Sequence, residues 1–220
     1  MKQSFQQVDF IRHEQSDENR KNLQNPKKRT VGGQNIDAPL SSEGRKRAPL
    51  LGLVYPLNND ALLVPSTAKR AIQTAEIGFP AHPIQTPDAR FLEMSQGIHE
   101  GQLVSSLHAP EYFAALKTHG WDYHAPEGES LNDVADRVLD GVNDWSEQSD
   151  GGQLVVVSHT TAIRGLAGRL LGLSQEQAIR GQNIANGQVS RISRHGSGDW
   201  KVDFVGVDPA VVAAQDRKNK

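Results

Sequence analysis

Three short apolar runs stand out along the chain: "VDFI" at 8–11, "ALLV" at 61–64 and "QLVVVS" at 153–158. Each has the length of a strand covered on both faces. Helical spacing follows the later two. "TAKRAIQTAEIG" follows the second run and closes on Gly78. "TAIRGLAGRLLG" follows the third, with apolar Ala162, Ile163, Leu166, Ala167, Leu170 and Leu171 ahead of Gly172. Before the third run, "SLNDVADRVLDGVNDW" repeats Leu131, Val134, Ala135, Val138, Val142 and Trp145 at helical intervals, with Ser130 placed to cap it. Strands alternating with helices predict an α/β fold. The expected form is a three-layer α/β/α sandwich, its central sheet mostly parallel, with helices on both faces and an inserted cap segment.

The remaining pattern is weaker. Residues 20–36, "RKNLQNPKKRTVGGQNI", show no period and read as a basic loop. Residues 101–128 read as the cap insertion, in part loop, with "PEYFAALKTHG" as a short helix inside it. Pro49 interrupts "SSEGRKRAPLLG", otherwise a capped helix, so a kink or short break is expected there. The tail 212–220, ending in "QDRKNK", is expected to fray. The 220 residues are read as a single domain with its core at about 8–205.

Composition narrows the function classes. Lys and Arg number 24 against 26 Asp and Glu, so the net charge is -2 and no broad basic field points to nucleic acid. Without cysteine, disulfides, thiolate catalysis and cysteine-bound metals are excluded. "MKQSFQQVDF" lacks the apolar segment of a secretory signal, and no run approaches the roughly 18 apolar residues of a membrane span. A cytoplasmic protein with no membrane partner is expected. The oligomeric state has no signature in the sequence.

The chemistry stands where the apolar runs end. The first run delivers Arg12 and His13, the second Ser66 and, one helical turn on, Arg70, the third Ser158 and His159. In open α/β sheets ligands bind beyond the carboxyl ends of the strands. Two arginines and two histidines gathered there make an anion site, because a guanidinium presents a planar fork of permanent charge that suits phosphate. A histidine whose one ring nitrogen is held by a hydrogen bond can attack with the other. Phosphoryl transfer to His13 is one reading; metal binding is another, but these strand ends offer no carboxylates or histidines at ligand spacing. Transfer leaves an alkoxide that needs a proton from a general acid. Glu93, in "FLEMSQGIHEG", is the candidate, and capping a turn or pairing with an arginine is its plainer use.

These segments resemble the histidine phosphatase superfamily, the phosphoglycerate-mutase-like fold. The resemblance rests on six blocks in order: "FIRHEQSDEN", "DAPLSSEG", "PSTAKRAIQTAE", "FLEMSQGIHEG", "PEGESLNDVADRV" and "VVVSHTTAIRGL". It implies that His13 becomes a phosphohistidine and that Arg12, Arg70 and His159 hold the phosphoryl group. It implies Glu93 as proton donor and then base. Ser16 and Asn19 match the family's phosphate-pocket positions, and Thr160 is placed to donate a backbone N–H. It implies no metal and no organic cofactor, with a small phosphorylated metabolite as substrate.

This chain also departs from the family. Glu14-Gln15 stands where the family has Gly-Glu; turned inward, Glu14 would repel phosphate, and it is expected to turn away. Thr160 replaces a common glycine, His99 a common tryptophan, and Pro65 the first of two serines. The mutases' Phe-Thr-Gly-Trp and Leu-x-Glu-Arg elements are missing, which favours a hydrolase over a mutase. A catalytically impaired phospho-ligand-binding protein is the other alternative, with Glu14 as the disabling change. Residues 20–34 hold Arg20, Lys21, Lys27, Lys28 and Arg29 without an acid, which suggests an extra anionic group on the substrate. In the cap, Tyr112, Phe113, Trp121, Tyr123 and His124 either pack on the core or face the leaving group.

Overall fold

The computed structural model describes residues 5–107, 110–149, 152–196 and 198–218. Five strands form one sheet: β1 (Phe5–Arg12), β2 (Leu62–Pro65), β3 (Gln153–Ser158), β4 (Val189–His195) and β5 (Lys201–Val207). Their order is β2-β3-β1-β4-β5. The β2–β3 and β3–β1 pairs are parallel, and the β1–β4 and β4–β5 pairs antiparallel. The sheet is therefore mixed, with only β4 running against the others.

The predicted runs became strands because both faces of the sheet are covered. Val8, Phe10, Leu154 and Val156 join one apolar cluster, and Ile11, Val155 and Val157 the opposite one. The first face is covered by α5 (Leu131–Gln148) and α6 (Thr160–Leu170), the second by α2 (Ser42–Val54), α3 (Lys69–Gly78) and α8 (Pro209–Lys218). Leu131, Val134, Ala135, Val138 and Val142 of α5 are all buried, as their spacing predicts. Ser130 caps that helix and forms a reciprocal capping box with Asp133. α6 stops at Gly172, whose φ of +64° is the left-handed conformation that favours glycine.

Several expectations give way. The stretch from residue 20 is not all loop: α1 (Asp17–Gln24) runs through its start, followed by a 3-10 turn at Pro26–Lys28. α1 has no buried residue, so no apolar period announced it. Pro49 does not break α2, which continues to Val54. The tail is helical as α8, held by buried Val212 and by Asp216 on Arg191, 2.6 Å away. The cap contains α4 (Pro110–His119), as expected. α7 (Gln175–Arg180) follows α6 along the chain. Among the described residues, no helix is long and apolar enough to cross a membrane.

Candidate active site

Strand register builds the site. Arg12 pairs with Ser158, and Pro65 with Val157, so β1, β2 and β3 end level. Past those ends, the His13 N–H donates to Ser158 O at 2.9 Å and the Ser66 N–H to Val157 O at 2.9 Å. The residues at 12–13, 66 and 158–159 are thereby fixed side by side. Ser16 and Asn19 follow at the start of α1 as its capping box. Leu40 bridges back to Ser16, and the Ser41 N–H donates to Gln15 O at 2.9 Å. Gly44 lets α2 approach that carbonyl; a Cβ there would lie 2.1 Å from Gln15 O.

Arg12, His13, Ser16, Asn19, Arg70, Glu93 and Thr160 line one cavity of about 70 Å³, together with Glu18, Gly32, Gly33 and Ile36. His159 adjoins it, fully buried, its ring centroid 5.0 Å from that of His13. Every predicted site residue is thus in one place. Gly32, Gly33 and Ile36 belong to a stretch without period and are held at the cavity by ties to Glu100 and Gly101. The Gly101 N–H donates to Val31 O at 2.9 Å, and the Gln34 and Asn35 N–H groups donate to the Glu100 carboxylate at 3.1 and 2.7 Å.

Hydrogen bonds define the two rings. His13 Nδ1–H donates to the Glu14 carbonyl at 2.7 Å, which leaves the Nε2 lone pair outward. Arg70 Nε–H is shared between His13 Nε2 and His159 Nδ1, each at 3.2 Å. With Nδ1 accepting, His159 donates through Nε2 to Ser66 Oγ at 2.7 Å. Burial, then the Arg70 charge, holds both imidazoles well below the ordinary 6.5. Both are neutral at neutral pH. Arg70 also donates to Ile36 O at 2.8 Å, and Arg12 to Ile184 O at 2.6 Å. Arg12 Nε is buried without a hydrogen-bond partner among the described residues. An unsatisfied buried guanidinium N–H is costly, and an anion in the cavity offsets that cost.

Glu93 is held by backbone. Its Oε1 accepts from Met94 N at 2.9 Å and from Thr161 N at 3.0 Å, in the first turn of α6. Its own carbonyl accepts from Arg137 at 3.0 Å. Asn186, in a loop without sequence pattern, donates to His13 O at 2.8 Å and to Asn19 Oδ1 at 3.3 Å. Neither Asn186 nor the Ser66 contact with His159 was legible beforehand. Among the described residues, no group of three or more His, Asp or Glu side chains is placed to hold a metal ion.

Glu14 turns away, as expected. Its side chain is 3% exposed and faces Arg47 Nε at 3.5 Å, in a separate cavity of about 280 Å³ that α2 helps to line. Burial raises its carboxyl pKa and Arg47 opposes the rise. Of the cap aromatics, Trp121 donates to Leu173 O at 2.9 Å and packs on the core, while His124 faces Asp133 at 3.3 Å. The side chains of Tyr112 and Phe113 lie outside the described residues.

A model of the histidine phosphatase superfamily (branch 1) matches residues 8–208. The chain belongs to that superfamily. A curated relative from Salmonella paratyphi C, named probable phosphoglycerate mutase GpmB, is 28% identical over 207 residues, covering 91% of this chain and 92% of its own. Among solved structures, the mycobacterial glucosyl-3-phosphoglycerate phosphatase superposes with a TM-score of 0.75 at 24% identity, covering 93% of this chain and 100% of its own. The α-ribazole phosphatase of Shigella flexneri gives 0.71 at 21% identity, covering 91% and 96%. At these identities the structural likeness is one of fold.

Proposed function

We propose that the protein is a phosphomonoester hydrolase working through a phosphohistidine on His13. The observation that carries this reading is the neutral His13 ring, its Nδ1–H held by the Glu14 carbonyl and its Nε2 3.2 Å from Arg70 Nε, in a cavity that Arg12 also lines. In the first step Nε2 attacks phosphorus and the ester P–O bond breaks. Glu93 gives its proton to the departing alkoxide. Arg12 and Arg70 take up the charge on the phosphoryl oxygens. The anion also favours protonation of His159, which then donates through Nδ1. In the second step Glu93 removes a proton from water, water attacks phosphorus, and the P–N bond breaks to free orthophosphate. Ser16, Asn19 and the start of α6 at Thr160 complete the phosphoryl cradle. No step needs a metal or an organic cofactor.

The outward turn of Glu14 supports an active enzyme over an impaired phospho-ligand binder. The curated relatives' mutase name favours a second reading, in which a substrate hydroxyl replaces water. Lys27, Lys28 and Arg29 are exposed on a stretch fastened to the cap, where the Val104 N–H donates to Arg29 O at 2.8 Å. Their charge draws anionic substrates to the cleft. The test is hydrolysis of a phosphate-monoester panel at several pH values without added metal, with His13→Ala as control. Orthophosphate release that vanishes in His13→Ala supports the hydrolase. Isomerised phosphoglycerate without orthophosphate supports the mutase. Phosphate binding without any turnover sinks both.

A further inference from the structure

The catalytic cavity, at about 70 Å³, falls well below the roughly 300–1,000 Å³ typical of small-molecule sites. The rest of a substrate must lie elsewhere. A second hollow of about 500 Å³ opens between the end of the cap, the start of α5 and α7. That volume falls within the range of roughly 300–1,000 Å³ typical of small-molecule sites. Its walls include Met94, Tyr123, Leu131 and Ile179, with Lys117 and Arg180 at the rim.

Two chain segments join this hollow to the catalytic centre. Met94 lines the hollow and directly follows Glu93, which lines the catalytic cavity. On the other side, Arg180 lines the hollow, and four residues on Ile184 accepts a hydrogen bond from Arg12 at 2.6 Å. The loop between them is also held to α6, where Arg164 donates to Gln182 O at 2.6 Å. Glu93, the proposed proton donor, and Met94 thus line the two hollows from adjacent positions of one segment. At the rim Arg180 pairs with Glu176 at 3.1 Å. Lys117 leaves a net positive edge to the lining.

We propose that this hollow seats the alcohol part of the substrate, and that the substrate is a phosphate monoester of an alcohol with a sizeable apolar or aromatic body. An anionic substituent on that body would face Lys117. The assignment rests on the hydrolase reading for its turnover, but its binding prediction stands separately.

The test compares 3-phenylpropyl phosphate with propyl phosphate, whose leaving oxygens are of matched basicity. The corresponding phosphonates, which cannot be hydrolysed, are titrated calorimetrically. The phenyl compound is expected to be favoured about 30-fold in both kcat/KM and Kd, the gain from burying one ring. Ile179→Asp is expected to bring both ratios to about 1. Tyr123→Ala, at a partly exposed position and so safer for folding, should lower them several-fold. Equal phosphonate affinities in the native protein would overturn the proposal, as would a preference that survives both variants. Preferential phosphonate binding without hydrolysis of either ester would uphold the hollow and sink the hydrolase reading instead.

Discussion

Glu93→Gln separates the two halves of the proposed reaction. Glutamine is isosteric, and its carbonyl oxygen can keep the two N–H bonds that Oε1 accepts from Met94 and Thr161 at 2.9 and 3.0 Å. The fold around α6 should therefore survive. What is lost is the capacity to give and take a proton at Oε2, which has only a longer contact of 3.3 Å with Thr161 N. A positioned general acid contributes about 10²- to 10⁴-fold, or about 3 to 5 kcal/mol of barrier. An alkyl phosphate, whose alkoxide cannot leave unprotonated, should show that whole loss. With 4-nitrophenyl phosphate the leaving group needs no proton, so the first step should stay fast while the second still lacks its base. Rapid mixing should then show a burst of one nitrophenolate per site, with acid-labile phosphate retained on the protein. Equal losses for the two esters and no burst would refute the role given to Glu93.

Three further outcomes follow from the geometry. His13 and His159 have folded pKa values pushed below the ordinary 6.5, so below pH 6.5 the unfolded chain takes up protons that the folded one refuses. Stability should fall as pH drops from 6.5 toward the folded values, by up to about 2.7 kcal/mol per pH unit for the two groups; urea melts of the native protein and His13→Gln check this, and an unchanged slope in the variant refutes it. Glu14 acts in the opposite sense, since its raised carboxyl pKa lowers stability as pH rises from the ordinary 4.5 through its folded value. Glu14→Gln should gain stability relative to the native protein across that interval, and a flat difference in urea melts would count against it. Finally, Arg191→Ala strips the fully buried Asp9 of the guanidinium 2.6 Å away and frees Asp216 of α8. Breaking such a buried pair should cost about 3–5 kcal/mol in urea unfolding; a loss under 1 kcal/mol would show that Tyr55 and the neighbouring glutamines suffice for Asp9.

The sequence made legible whatever depends on neighbours along the chain. Apolar runs covered on both faces announced β1, β2 and β3, and their ends announced Arg12, His13, Arg70 and His159. The period of 131–145 and its Ser130 cap announced α5. Elements with mixed faces stayed hidden. β4, "VSRISRH", carries Arg191 and Arg194 among its apolar positions and has no continuous run. α1 buries nothing, and its one signal was the reciprocal cap of Ser16 and Asn19.

Only the tertiary structure decided how the strand-end residues act. Parallel register set Arg12 level with Ser158 and placed one Arg70 N–H between two imidazoles. The Arg70 N–H on Nδ1 settled the tautomer of His159 and left its Nε2 to donate to Ser66, 93 positions away in sequence. Where the Glu14 side chain points turned on Arg47, in a different helix, 3.5 Å from its carboxylate. Such choices lie outside the reach of sequence pattern for a physical reason. Periodicity records which faces are buried, whereas a hydrogen bond or an ion pair requires two groups within about 3 to 4 Å, and the fold alone sets that separation.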